Sequence, residues 1–393
     1  IFMTFKIILR KKEENRILAG HLWVFSNEID HYPADINNGD IAEVVSSQNA
    51  FLGLGLVNKN SLIAARILTK ERESIDAEFF KRRISQAYHL RQELYPAERS
   101  YRIVYGESDF LPGLVIDKYE NYLVVQVLSL GMEQRLEMIG QALTEIFKPV
   151  GIYLRNDAEV RTLEGMELYK KPLFGQEPSN HLVIEQNGLD FKVDIVHGQK
   201  TGFFFDQRDN REALKSYVAQ KTVLDCFCYS GGFSLSAAKY ESVKVTGVDA
   251  SKDAVQEARE NADLNEFKNC EFIAADVFEY LTAAVLKNTL FDVVNVDPPS
   301  FTKSKKNLPQ AIKGYRKLNG LAMQTVKKGG ILISSSCSHY MDEYTFINML
   351  KDSALRAKRT LRLLEFRGQA KDHPVLLSMP ETAYLKCAIM QVL

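Results

Sequence analysis

The residues of this chain best suited to chemistry are four aspartates and one cysteine. Asp225, Asp249 and Asp276 each close a short apolar run of strand character and precede a run with helical spacing. Between the first two lies Gly231–Gly232, within "VLDCFCYSGGFS". Adjacent glycines let a backbone approach a ligand without Cβ interference. G-x-G-x-x-G and a Walker lysine are both absent, so this loop is not a pyrophosphate cradle. Asp225, ahead of the loop, is wrong for phosphate and suits a cation or an amine. Asp249, eighteen residues after Gly231, is placed to accept both hydroxyls of a ribose, and Asp276 to accept from an adenine amino group. Adenosine, a positive centre and no phosphate together describe S-adenosylmethionine. Each acid alone reads as a helix N-cap. Three in successive turns beside a Gly-Gly loop favour the cofactor.

The fourth aspartate opens "DPPSF" (297–301) after another apolar run. Two prolines fix an extended, rigid turn. Such a turn can hold a planar base against Phe301 with Asp297 bonding its edge. Cys337 interrupts a row of serines in "ILISSSCSHY" (331–340). Cysteine is among the most buried residue types, and Cys226, Cys228, Cys270 and Cys387 read as packing. Cys337 follows the strand expected beside that of Asp297, which suits a nucleophile. Carbon 5 of a pyrimidine needs a thiolate added at carbon 6 before it accepts a methyl group. His339 and the basic stretch 303–317 are candidate sources of the charge that a thiolate needs. For Cys337, packing and nucleophile stand level on its own sequence.

These residues need a scaffold. From about residue 186 strand and helix alternate: "TVLDCF", "SLSAAKY", "KVTGVDAS", "KDAVQEARENADLN", "CEFIAAD", "VFEYLTAAVL", "FDVVNVDPP", a helix around Tyr315–Val326 and "GGILISSSC". The closing strands are "LRLLEFRG" and "AYLKCAIMQVL". The alternation predicts a doubly wound, mostly parallel sheet with its ligand crevice at the carboxyl ends of the strands. Residues 1–73 read as short strands forming a small β-barrel. Residues 74–185 read as a central α+β domain, with helices over 75–95 and 133–147 and a strand at "GIYLRND". The doubly wound domain spans 186–393.

Bulk composition sets the class. The chain has 393 residues, 46% of them hydrophobic, and a formal net charge of zero. No apolar run is long enough to span a membrane, and no segment has a signal-peptide layout, so a cytoplasmic protein is expected. Five scattered cysteines without CxxC spacing argue against disulfides and against a zinc site. The charge is uneven. Residues 225–300 hold 13 acids and 6 basic residues, whereas 303–328 hold eight basic residues and no acid. Lys303, Lys305 and Lys306 lead that basic stretch, which reads as phosphate contacts or as a solvated helix face.

With these residues in view, the chain resembles the bacterial 23S rRNA cytosine-5 methyltransferases that carry an N-terminal PUA domain. The resemblance covers nearly the whole length, through "GHLWVFSNEI" (20–29), "HGQKTGFFFDQRDNR" (197–211), "DCFCYSGGFS", "DPPSF", "GYRKLNGLAMQ", "SCSHY" and "HPVLLSMPETAYLKC" (373–387). It implies an N-terminal PUA β-barrel, a central α+β domain and a C-terminal Rossmann-like class I methyltransferase domain. It implies S-adenosylmethionine as cofactor and large-subunit rRNA as partner, with no membrane and a homodimer left open. Asp249 would bind the ribose and Asp276 the adenine. Gly231, Tyr229, Ser230 and Phe233 would line the methionine end, with Asp225 close by and Gln207 closing over it. Cys337 would be the nucleophile and Asp297 the group on the cytosine edge. Many RNA cytosine-5 methyltransferases carry a second cysteine after a proline of the Asp297 motif; here Ser300 follows Pro299. Two rival readings are an amino-group methyltransferase, which needs no thiol, and a non-enzymatic RNA-binding assembly factor.

Overall fold

The computed structural model describes residues 5–179, 181–302 and 304–393. Its packing groups them into two units. The first contains the chain up to Ile184 together with Val193–Phe205 and Lys371–Thr382; the second contains Glu185–Lys192, Asp206–Ala370 and Ala383–Leu393.

Within the first unit, residues 5–69 form a six-stranded sheet. The strands legible in sequence are there, at Phe5–Leu9, Ile41–Val45, Phe51–Val57 and Ile63–Thr69, and two three-residue strands complete the sheet. Trp23–Phe25 and Ile29–His31 are too short to show alternation. A five-stranded sheet follows, in the order Tyr169–Gly175, Gly151–Asn156, Tyr122–Val127, Leu114–Tyr119, Tyr101–Tyr105. The helix Ala77–Leu94 begins where the Asp76 carboxylate accepts from Phe79 N–H and buries Phe79, Phe80 and Ile84. The helix expected over 133–147 is divided into Leu130–Glu133 and Leu136–Phe147. At the break Arg135 turns back to donate to Gly131 O.

One ion pair organises the interior of this unit. Arg91, fully buried, donates Nη1 to Asp109 Oδ1 at 2.5 Å and Nη2 to Oδ2 at 2.7 Å. It also donates to Asp372 O at 2.9 Å and Arg102 O at 3.1 Å. The guanidinium is satisfied on four sides, which is what makes burial of the charge tolerable.

The second unit is built on a seven-stranded sheet: β1 Thr222–Cys226, β2 Lys244–Asp249, β3 Cys270–Ala274, β4 Phe291–Val296, β5 Val326–Ser336, β6 Leu361–Arg367 and β7 Lys386–Val392. The order is β3-β2-β1-β4-β5-β7-β6. All neighbouring strands are parallel except β7, which runs antiparallel to both β5 and β6. Alternate residues face opposite cores. Leu224, Val294 and Leu332 pack on one side, Val223, Val293 and Ile331 on the other, so the strands read as continuous apolar runs. The helix around 315–326 extends from Leu308 to Thr325. A further helix, Glu343–Ala357, is opened by the Asp342 carboxylate on Thr345 N–H. Strand order reverses between β1 and β4, the point at which a doubly wound sheet places a ligand crevice at its carboxyl ends.

Replacing Arg91 by Met is expected to destabilise the first unit by about 3–5 kcal/mol, because Asp109 is left as an uncompensated buried charge. Urea unfolding followed by Trp23 fluorescence measures this; a loss within experimental error would show that the pair is not structural.

Candidate active site at the carboxyl edge of the sheet

Three positions of the loop after β1 have positive φ: Phe227 at 63°, Tyr229 at 46° and Gly231 at 88°. Two of them are non-glycine residues in a region that L side chains seldom occupy. Asp249, at the end of β2, helps hold this conformation. Its Oδ2 accepts from Tyr229 N at 3.0 Å and its Oδ1 from Ser251 N at 2.9 Å. A carboxylate has about four acceptor positions, so half-buried Asp249 keeps capacity for a diol. Asn261 steadies the loop further by donating to Ser230 O at 3.0 Å.

Gly231 and Gly232 are needed for different reasons. A Cβ on Gly231 would meet Leu235 Cδ1 at 2.7 Å in addition to the unfavourable φ. At Gly232 the close neighbour is a protein group. Its Cβ would lie 2.6 Å from Arg211 Nε, so the space expected to admit a ligand admits this guanidinium. Arg211 was not picked out from sequence. Burial pushes it down to about 10, against the opposing pull of Asp206, Asp297 and Asp225.

Asp225 faces inward. It is 1% exposed, its Oδ2 accepting from Ser234 Oγ at 2.6 Å and its Oδ1 from Asn295 Nδ2 at 2.9 Å. Burial raises its carboxyl to about 6 in spite of these bonds. Gln207 is also buried, with Oε1 accepting from Asn210 Nδ2 at 2.7 Å. Phe233 is buried with the Arg211 guanidinium 5.8 Å from its ring centroid. Asp276 is exposed at the end of β3 and caps the helix Val277–Leu286 by accepting from Glu279 N. The cap and the strand-end position coexist in one residue.

Asp297 and Cys337 follow β4 and β5, neighbouring parallel strands with Val296 opposite Ser334. Their loops are fastened together. Ser300 Oγ lies 2.9 Å from Ser338 Oγ, and Tyr315 OH lies 3.2 Å from Ser338 Oγ and 3.1 Å from Ser336 Oγ. Ser336 and Ser338 are fully buried, whereas Cys337 between them is half-buried. Phe301 does not stand free to receive a base; its ring packs on Tyr315 with centroids 4.4 Å apart. The other thiols differ from Cys337. Cys226, Cys228 and Cys387 are buried, which disfavours their thiolates; Cys387 is raised to about 12, as is half-buried Cys270. A cation on β7 also acts on Cys337 electrostatically. It is Lys386, whose Nζ donates to Ser338 O and Tyr384 O at 2.7 Å each.

The basic stretch is dispersed by the fold. Lys303 lies outside the described residues. Lys305 and Lys306 are exposed on a short turn before the helix Leu308–Thr325. Lys313, Arg316 and Lys317 line a groove with Arg356, although Arg316 also pairs with Asp352 at 2.8 Å. Lys327 pairs with Asp292 at the opposite end of the sheet. It is the second residue of the 11-residue β5, whose register with β4 runs from Phe291↔Val326 to Val296↔Ser334 and so puts it at the far end from Cys337. The expected single basic face therefore excludes Lys327 and its neighbour Lys328.

Residues 7–70 match the family described as a PUA-like domain, and residues 218–376 one described as a methyltransferase domain. The ribosomal RNA large subunit methyltransferase I of Aliivibrio fischeri (strain ATCC 700601 / ES114) is 42% identical over 391 residues, 98% of each chain. Its namesake in Escherichia coli (strain UTI89 / UPEC) is 40% identical over 99% of this chain and 100% of its own. The chain belongs to the ribosomal RNA large subunit methyltransferase I family. A methyltransferase crystallised with S-adenosylhomocysteine shares the fold, with a TM-score of 0.86 and 22% identity over 99% of this chain and 100% of the other. A SAM-dependent methyltransferase from Streptococcus mutans superposes with a TM-score of 0.83, at 22% identity over 99% and 100% of the two chains. The cofactor of this family is S-adenosylmethionine. Asp249 and Asp276 stand at the carboxyl ends of β2 and β3, and Asp225 is buried beneath the loop after β1, while the basic groups of the stretch after β4 lie in the groove, on the exposed turn or at the far end of β5.

Asp249→Ala removes the acceptor for Tyr229 N–H and Ser251 N–H along with any bond to a ribose. S-adenosylmethionine binding is expected to weaken by roughly 2–3 kcal/mol, the scale of a charge-assisted hydrogen bond. Unchanged affinity by calorimetry in a folded variant would take Asp249 out of the cofactor site.

Proposed function

We propose that this chain methylates carbon 5 of a cytosine in large-subunit ribosomal RNA, with Cys337 as a covalent nucleophile. The observation that carries the reading is the fastening of the Asp297 and Cys337 loops through Ser300, Ser338 and Tyr315. It leaves one half-buried thiol on the loop fastened to the Asp297 turn. The relatives' activity on large-subunit rRNA supports the substrate class.

S-adenosylmethionine supplies an electrophilic methyl group. In this reading Asp249 holds its ribose and Asp276 its adenine, while Tyr229, Ser230, Gly231, Phe233 and Gln207 enclose the methionine end. Asp225 supports that end from behind, through Ser234 and Asn295. Asp297 bonds the edge of a cytosine that is unpaired or flipped out of its stack. The Cys337 thiolate adds to carbon 6, and the electrons of the 5,6 double bond move to carbon 5, which takes the methyl group. Loss of the carbon 5 proton to a base restores the double bond and expels the thiolate. Ser300 is an unsuitable base, since its hydroxyl is committed to Thr302 O and Ser338.

The division into a PUA-like part (1–73), a central α+β part (74–185) and a methyltransferase part (186–393) assigns RNA capture to the first and chemistry to the last. Lys305 and Lys306, with the groove of Lys313, Lys317 and Arg356, contact RNA phosphates. A cytoplasmic site of action follows from an rRNA substrate.

Cys337→Ala is expected to keep cofactor and RNA affinity but lose methyl transfer. RNA carrying 5-fluorocytosine blocks proton loss from carbon 5, so the unsubstituted enzyme becomes trapped in a covalent complex that needs both S-adenosylmethionine and Cys337. Methylation of cytosine carbon 5 by the alanine variant would sink this mechanism; methylation of an amino group would establish the rival chemistry.

Neutralising Lys305 and Lys306 together should weaken RNA binding and lower the slope of log affinity against log salt by up to about 2, with cofactor binding intact. An unchanged slope would mark them as a solvated face.

A further inference from the structure

The C-terminal segment "AYLKC" (383–387) has no part in the mechanism above, although it brings a lysine into the site. Lys386 opens β7, directly across from Ser336 on β5, one residue before Cys337. It is 5% exposed. Its Nζ donates to Ser338 O, just beyond Cys337, and to Tyr384 O, both at 2.7 Å. Two carbonyls leave the third donor of an ammonium uncommitted. Among the described residues no carboxylate lies within ion-pair distance of it; the charges that act on it are those of Cys337, Asp342 and Glu343. A lysine buried without a paired carboxylate is costly for stability alone.

We propose that Lys386 activates Cys337, its neutral amine taking the Sγ proton and the resulting ammonium holding the thiolate. One S–H bond breaks, one N–H bond forms, and no electron is transferred. The thiolate then adds to carbon 6 of the base, and on its expulsion the same ammonium receives it. The proposal rests on Cys337 being the nucleophile. Burial supports it by lowering the Lys386 ammonium to about 8, although Cys337, Asp342 and Glu343 pull the other way. The neutral amine is thus accessible near neutral pH, where an ordinary lysine would hold its proton. Acting through Cys337, Lys386 is a positioning and activating residue.

The test reads the thiol. Iodoacetamide labelling of Cys337 in the full chain, quantified by peptide mass spectrometry from about pH 6 to about pH 10, gives the midpoint at which the thiolate appears. Lys386→Gln, which keeps a donor for the two carbonyls, should raise that midpoint by roughly one pH unit or more. Lys386→Arg, which keeps the cation, should leave it near that of the unsubstituted protein. A loosened strand would change labelling rates at every pH without moving the midpoint. Should Lys386→Gln not fold, judged by cofactor affinity, Lys386→Met is measured instead with the same expected rise. An unchanged midpoint in the folded neutral variant overturns the role of Lys386. The fluorocytosine trap separates the two ideas. A trap that forms while the midpoint stays put defeats the lysine alone, and a trap that never forms defeats Cys337 as nucleophile.

Discussion

Asp225 accepts from Ser234 on the helix after the glycine loop and from Asn295 on β4. It sits where the strand order reverses, so these two bonds join the halves of the sheet on either side of the crevice. Parallel strands give the crevice its walls, but their backbone ladder does not fix how the loops leave the strand ends. A buried carboxylate with two donors does, since either donor moving away leaves a charge or an amide unsatisfied. The cost of burying it is visible in its raised proton affinity. On one side it sets the start of the helix that carries Gly232 and Phe233; on the other it sets the strand that delivers Asp297.

The remaining polar contacts continue that arrangement outward. Asp249 fixes Tyr229 in its left-handed conformation, and Arg211 fills the space over Gly232. Tyr315 gathers the serines around Cys337 from the helix beneath. Each of these side chains holds a loop, and the loops hold the groups at the rim. Strain in the segment 227–231 is maintained by bonds from outside it.

Much of this was legible in the sequence, and the omissions have physical causes. The strands β1, β2, β4 and β5 show as apolar runs because both faces are largely buried. The helix Val277–Leu286 is bounded by its cap at Asp276 and ends before a polar turn. The helix Glu343–Ala357 was missed even though its capping residue, Asp342, is of the expected type; its buried face of Phe346, Met349, Leu350 and Ala354 is interrupted by charged positions. Asp225, Asp249, Asp297 and Cys337 were singled out by strand-end position, which local pattern does reveal. Arg211 and Lys386 were not, because their neighbours come from tertiary approach and antiparallel register. The basic stretch misled for the same reason. Charges adjacent in sequence are carried by β5 and its preceding helix to opposite ends of the sheet.

The Arg91 cluster has a consequence for how the protein is made. Arg91 and Asp109 leave the ribosome within seconds of each other, but Asp372 lies 281 residues beyond Arg91. At about 5–20 residues per second, that interval is roughly 15–55 s. Throughout it the nascent first unit holds a buried guanidinium that lacks one of its acceptors, while most of the seven-stranded sheet is still being synthesised. The late contact carries only a modest entropic penalty, since loop closure grows with the logarithm of length. Its penalty is kinetic. The first unit stays open to chaperones and proteases until Lys371–Thr382 arrive to complete it.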